Sequence, residues 1–222
     1  MDAMILAAGR GERMRPLTDL TPKPLLEIGG KRLIEYHLES LARAGFGHVV
    51  INHSWLGEQI PAALGDGSRY GLAISYSNEN DKALETAGGI CKALPLLQTD
   101  PFLIINGDIW SDYPFGQLPQ GIDGLAHLVM IPNPSHHPHG DFHVEGNVLH
   151  ENGGRKHTFS GIGVYRKELF AGCDPAQPAA LAPLLRKAMT KGQISGEIYT
   201  GEWQDVGTPE RLQQLDKTAR SA

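Results

Sequence analysis

Apolar residues in the first half of the chain fall into short unbroken runs separated by stretches at helical spacing. Residues 3–8 form a continuous apolar run that breaks at Gly9, the pattern of a strand buried on both faces. A long polar connection over 9–24 follows. Ile34, Leu38, Leu41 and Ala42 then recur at helical spacing and predict a helix over 33–44, closed by Gly45. Val49, Val50 and Ile51 mark a second buried strand over 48–52, residues 56–64 read as a weaker helix, and Leu72, Ile74 and Tyr76 alternate as a third strand. A short helix over 86–94, with Thr86 as its N-cap, leads to Pro95, and 102–105 is a fourth apolar run ending in Asn106-Gly107-Asp108. This alternation predicts an α/β fold with a largely parallel sheet covered by helices on both faces. In such sheets ligands sit beyond the carboxyl ends of the strands. The polar turns at Gly9 and at Gly107-Asp108 are therefore the first places to look for chemistry.

The second half is less regular. A strand is expected over 125–131, a hairpin about Glu145-Gly146-Asn147, loose alternation over 158–165 and a helix over 181–191. A strand within 196–206 runs into Trp203-Gln204-Asp205, and Thr208 as N-cap with Pro209 at the first helical position starts a last helix to about residue 219. With no repeat and no long linker, the chain reads as a single domain over 1–222.

Composition narrows the function. The charge of −5, from 20 basic and 25 acidic side chains, offers no electrostatic footprint for nucleic acid or an anionic membrane. An anionic substrate must therefore be held by a few placed groups. Cys91 and Cys173 are the only cysteines, too few for a disulfide framework or a CxxC metal knuckle, and both read as inert thiols. No apolar stretch approaches ~20 residues, and the run before Gly9 is too short for a signal-peptide core, so a cytoplasmic protein is expected.

The most informative segment is Leu6-Ala7-Ala8-Gly9-Arg10-Gly11-Glu12-Arg13-Met14-Arg15-Pro16-Leu17-Thr18. Two glycines directly after a buried strand let backbone N–H groups converge on an anion, and the arginines add charge. Met14 stands where a dinucleotide fingerprint has its third glycine, and no Gly-Lys-Ser/Thr of a P-loop follows. Thr21-Pro22-Lys23-Pro24 supplies a lysine whose backbone is stiffened on both sides, so loop and lysine together look like a triphosphate clamp. LAAGRGERMRPLT with TPKPLL resembles the signature of nucleotidyltransferases that join a nucleoside triphosphate to a sugar 1-phosphate. The later motifs appear in that family's order, so the resemblance covers nearly the whole chain.

The resemblance implies a three-layer, Rossmann-like α/β fold with a mixed, mostly parallel sheet. It implies a nucleotide-binding half over 1–110 and a sugar-binding half over 111–222. The implied partners are UTP and a sugar 1-phosphate, the cofactor is Mg²⁺, and the expected assembly is a monomer or weak homo-oligomer. N-acetylmuramate α-1-phosphate, in cell-wall recycling, is the first sugar phosphate implied; glucose or mannose 1-phosphate, with UTP, dTTP or GTP, is the alternative. A non-catalytic nucleotide-sugar sensor on the same scaffold is the reading from another class, though the residues it would lack are present.

Asp108 and Asp205 each close an apolar strand, where alone either fits a turn or a cap; by the resemblance they fall on metal-binding positions, suiting a hard dication. Arg13, Lys23 and Asp108 are implied as the catalytic groups. Ala8, Gly9, Gly11, Glu12, Arg13 and Lys23 would hold the triphosphate, with Glu85, Gly88 and Asn106 on the nucleoside. Asp141, Ser160 and Gly161 would meet the sugar. The extra carboxylate of N-acetylmuramate calls for a cation, for which His136, His137, His139, Arg155 and Lys156 are available. The histidine cluster itself, interleaved with prolines, reads as a solvated loop rather than a metal site. Trp55, Trp110 and Trp203 are candidates for the cleft wall or for packing.

Overall fold

The apolar run after Asp2 becomes β1 (Ala3–Leu6), and its residues serve two faces in turn. Ala3 and Ile5 pack with Ile34, Leu38 and Leu41 of α1 (Leu33–Arg43) and Ile60 and Leu64 of α2 (Gln59–Leu64). Met4 points the other way, to Ile90 of α3 (Glu85–Ala93) and Leu185 of α4 (Leu181–Met189). A strand covered on both sides has no solvent face, which is why the run carries no polar alternation. The computed structural model describes residues 1–79 and 84–221.

The remaining strands, in chain order, are β2 (Glu27–Ile28), β3 (Lys31–Arg32), β4 (His48–His53), β5 (Ala73–Asn78), β6 (Phe102–Asn106), β7 (Ile109–Ser111) and β8 (Ala126–Ile131). They continue as β9 (Phe142–Glu145), β10 (Val148–His150), β11 (Lys156–Tyr165), β12 (Ile194–Ile198) and β13 (Trp203–Asp205), before the last helix, α5 (Pro209–Ser221). Nine strands form one sheet in the order β5-β4-β1-β6-β11-β8-β12-β10-β9. The sheet is mixed: β11 runs against β6 and β8, and β10 against β12 and β9, while β5, β4, β1 and β6 are parallel. With helices on both faces, the expected three-layer architecture is present.

Three local expectations change. The strand foreseen within 196–206 is two: β12 joins the large sheet beside β8, and after Gly201 the chain turns into β13, which pairs with β7 instead. Helix α3 starts at Glu85, not after Thr86, and carries no side-chain cap. The carbonyl of Ala179 accepts the Ala87 and Gly88 N–H groups at 2.8 and 3.1 Å, so unpaired donors of the first turn find a tertiary acceptor instead. Finally, α2 is shorter than its pattern suggested, beginning at Gln59.

Two packing arrangements position the site. Leu6 and Asn106 are register partners at the carboxyl ends of β1 and β6, and Gly107 N–H donates to Leu6 O at 2.9 Å. A Cβ on Gly107 would lie 2.6 Å from that oxygen, so only glycine keeps both strand ends this close. Separately, Met14 is fully buried in a third apolar cluster with Leu26, Ile28, Leu33, Val206, Leu212 and Leu215. The residue that rules out a dinucleotide fingerprint therefore anchors the glycine loop to α5 and to the segment after Asp205.

His37 of α1 is buried against β7, with Nε2 unpartnered and a hydrogen bond to the Ile109 backbone. Burial lowers its pKa from 6.5 to about 4. Between those values the unfolded chain takes up a proton that the folded chain refuses, so acidification favours unfolding across this window. Urea denaturation should show stability falling as pH drops from about 6.5 toward 4, with a shallower slope in His37→Leu. An equal slope in the variant would contradict the assignment.

Candidate functional site

A cavity of about 950 Å³ opens at the carboxyl edge of the parallel strands, and all its lining residues but Gly207 come from positions 6–108. Ala8, Gly9, Gly11, Glu12 and Arg13 of the glycine loop lie on its wall, as do Lys23, Glu85, Asn106 and Asp108. Gly11 has φ +67 and its carbonyl accepts Thr18 Oγ1–H at 2.8 Å, folding the loop back on itself. Trp55, on the same wall, donates its indole N–H to Thr18 O at 2.9 Å, and the Arg10 guanidinium stacks 4.3 Å from its ring centre. Leu56 and Glu85, with φ of 50 and 55, are the only non-glycine residues at positive φ among the described residues, and both line this cavity. Such strained positions concentrate at functional sites.

Lys23 and Asp108 meet on the cavity wall, Nζ to Oδ2 at 2.8 Å. The lysine side chain is 9% exposed and the aspartate 43%, so a buried ammonium is balanced by a carboxylate open to the cavity. Pro22 and Pro24 flank the lysine in a tight turn, which sets where the ammonium emerges.

Asp205 lies beside Asp108 without lining the cavity. It is the register partner of Ile109, and Val206 N–H donates to Asp108 O at 2.8 Å, so the two aspartates are neighbours across a two-stranded ladder. Its Oδ2 is ion-paired with Arg211. Its Oδ1 is buried 3.0 Å from His136 Nε2, in a geometry that gives no hydrogen bond. Gly207, on the cavity wall, lies against these groups: a Cβ there would lie 2.8 Å from Asp205 Oδ2, 2.9 Å from Arg211 Nη1 and 3.5 Å from Arg13 Nη2.

Gly88 does not line the cavity. Its open side faces the 177–179 segment, where a Cβ would lie 2.7 Å from Gln177 O, so its lack of a side chain serves packing. The Ser160 hydroxyl is buried, donating to Val129 O at 2.6 Å and accepting from Ile162 N–H at 3.1 Å within the bulge of β11. Gly161, at φ +84 in that bulge, lies against Asn106, with its absent Cβ only 2.6 Å from Nδ2. Asp141 accepts Phe159 N–H at 2.8 Å and faces His137 at 3.1 Å, outside the cavity lining. Of the other cleft candidates, Trp203 donates to Ser160 O and Trp110 packs on the third apolar cluster. Cys91 donates to Cys173 O at 3.1 Å, and burial pushes its thiol pKa up, as expected of an inert thiol.

Sequence reasoning missed Asn52 and Glu79. Asn52 Oδ1 accepts Ala7 N–H at 2.8 Å and its Nδ2 donates to Glu79 Oε1 at 2.6 Å; Glu79 Oε2 then accepts Leu84 N–H at 3.4 Å. Both side chains are 3% exposed, and burial raises the Glu79 pKa. This buried chain of hydrogen bonds ties the glycine loop to the start of α3, two opposing walls of the cavity. Polar residues ending buried parallel strands were the available signal, the same one that picked out Asn106 and Asp108.

The chain belongs to the nucleotidyl transferase family, whose model matches residues 2–142. It is 53% identical to the N-acetylmuramate alpha-1-phosphate uridylyltransferase of Neisseria meningitidis serogroup B, over 99% of this chain and 98% of that protein. The protein of the same description from Caulobacter vibrioides is 33% identical over 94% of this chain and 92% of its own length. Among solved structures, one described as a glucose-1-phosphate thymidylyltransferase of Bacillus anthracis superimposes with a TM-score of 0.88 at 20% identity, covering 100% of this chain and 96% of that one, which shows the shared fold. No helix among the described residues is long and apolar enough to cross a membrane.

Replacing Asn52 with leucine would leave the Ala7 N–H and the Glu79 carboxylate buried without this partner. Each such loss costs about 1–3 kcal/mol. Urea denaturation of Asn52→Leu should show destabilisation of at least about 1 kcal/mol; stability equal to the parent would show that the network contributes nothing.

Proposed function

We propose that the chain is a Mg²⁺-dependent uridylyltransferase that joins UTP to N-acetylmuramate α-1-phosphate, forming UDP-N-acetylmuramate and pyrophosphate. The observation that carries this reading is the Lys23–Asp108 pair on the wall of a cavity floored by the glycine loop. The identity to the Neisseria protein, extending over nearly both whole chains, supports the choice of base and sugar.

A sugar 1-phosphate is already an anionic oxygen nucleophile at neutral pH, so the reaction needs no activated side chain. Its phosphate oxygen attacks the α-phosphorus of UTP, a P–O bond forms there, and the bond to the β-phosphate oxygen breaks to release pyrophosphate. The barrier lies in bringing two polyanions together and stabilising the charge that moves onto the leaving group. The glycine-loop N–H groups and Arg13 would hold the β- and γ-phosphates, and Lys23 would neutralise oxygens at the α-phosphate. Asn106 and Glu85 lie on the wall assigned to the nucleoside. Gly161, against Asn106, and Asp141 mark the side from which the sugar would approach. With the cavity lined almost wholly by residues 6–108, the nucleotide half is assigned to 1–110 and the sugar half to 111–222 of one domain.

The metal fits the donors available. Asp108 is half-exposed toward the cavity, and Asp205 places Oδ2 against Gly207 of the cavity wall while its buried Oδ1 makes no hydrogen bond, so this carboxylate has spare donor capacity. No group of three or more His, Cys, Asp or Glu side chains among the described residues could form a dedicated metal cage. Two carboxylates, completed by phosphate oxygens and water, are the ligand set Mg²⁺ commonly takes. Bound there, Mg²⁺ would supply charge neutralisation at the transferring phosphoryl group and alignment of the attacking oxygen.

Pyrophosphate release should require both UTP and a sugar 1-phosphate, stop in excess EDTA and be fastest with N-acetylmuramate α-1-phosphate in a panel of hexose phosphates. Tight nucleotide-sugar binding without turnover would favour a sensor instead. Lys23→Met should lower kcat by about 10²–10³-fold, the loss typical of removing one charge-stabilising donor, with a smaller change in the KM for UTP. An unchanged kcat would remove Lys23 from the reacting centre.

A further inference from the structure

Asp205 does not stand alone beside Asp108; a guanidinium already holds it. Arg211 Nη1 is ion-paired with Oδ2, and both side chains are largely buried, at 22% and 21% exposure. The backbone of Arg211 is fixed from two directions: its N–H reaches Thr208 Oγ1 at 3.4 Å, and its carbonyl accepts the Gln204 side-chain N–H at 3.1 Å. Its place in the first turn of α5 therefore leaves the side chain as the movable part. Arg13 lies close by, since a Cβ on Gly207 would touch Asp205, Arg211 and Arg13 together. One guanidinium thus holds the carboxylate, with His136 at its other oxygen and Arg13 close to Gly207. A dication and a guanidinium compete for the same carboxylate lone pairs and repel each other at this range.

We infer that Arg211 is a positioning residue that competes with the dication for Asp205: it orients the carboxylate and is displaced from it when the metal binds. The inference rests on Asp205 being a metal ligand, as proposed above. Arg211 then sets the affinity of the site for its cation, keeping it below what the two carboxylates would give alone.

Mn²⁺ alone is the probe, its binding to the whole chain followed by the loss of the free-ion electron paramagnetic resonance signal at fixed pH. Arg211→Gln should bind Mn²⁺ roughly two- to fivefold more tightly than the parent, the range expected for removing one ion-pair partner. Arg211→Lys should fall between them. Asp205→Asn should bind more weakly than the parent, and adding Arg211→Gln to it should restore nothing. Unchanged or weaker Mn²⁺ binding in Arg211→Gln, with Asp205→Asn still weakened, overturns the competition while leaving Asp205 as a ligand. Unchanged binding in Asp205→Asn removes Asp205 from the metal site and the inference with it. Should Arg211→Gln not fold, the unmodified chain labelled with ¹⁵N-arginine gives a second measure. Titration with Mg²⁺ should release one hindered guanidinium to faster rotation, and no change in any arginine signal would refute the displacement.

Discussion

A lysine ammonium drawn out of water and a carboxylate half in water, 2.8 Å apart, set the charge balance of the whole site. Burying the ammonium is costly without a partner, so the fold keeps Lys23 only because Asp108 is brought to meet it. That meeting depends on three separate pieces of chain. Two prolines set the lysine turn, the parallel pairing of β1 with β6 sets the height of Asp108, and Gly107 lets the strand ends close on each other. The glycine loop emerges from the same edge because β1 ends there. The glycine loop, the ammonium and the carboxylate thus line one cavity as a consequence of strand register.

Around that pair the structure repeats one electrostatic motif. Asp108 is balanced by Lys23, and Asp205, its neighbour across the β7–β13 ladder, by Arg211. Each acidic group has a basic partner that an anionic substrate could also engage, which suits a protein of net charge −5 that must bind polyanions. The third apolar cluster holds the two halves of this arrangement together: Met14 brings in the glycine loop and Val206 the segment after Asp205. Packing far less polar than the site itself therefore fixes the relative placement of its charges.

The glycine loop, Lys23 and Asp108 were readable because each lies in a short contiguous segment at a strand end, where local pattern and chemistry coincide. What was hidden depends on contacts between distant segments. Asn52 and Glu79 matter through each other, 27 residues apart. Arg211 and His136 reach Asp205 only after α5 and the 132–141 loop are folded over it. The glycines of α3 suggested close approach to a ligand, and Gly88 is indeed approached closely, but by Gln177 from the other half of the chain. Ser160 likewise carries a polar group whose partners are backbone atoms, Ile162 N–H of its own bulge and Val129 O on the neighbouring strand, which no local pattern announces. Strand order shows the same limit: the break at Gly201 was present in the residues, but the choice of β7 as partner for β13 was not.

Anomalous diffraction from a crystal of the whole chain grown with Mn²⁺ and UDP-N-acetylmuramate tests the central claim most directly. The account predicts a manganese peak in contact, at about 2.1 Å, with a carboxylate oxygen of Asp108 and one of Asp205, and with a product phosphate oxygen. A fully occupied nucleotide sugar in the cavity, with the manganese bound elsewhere or touching neither aspartate, would contradict it.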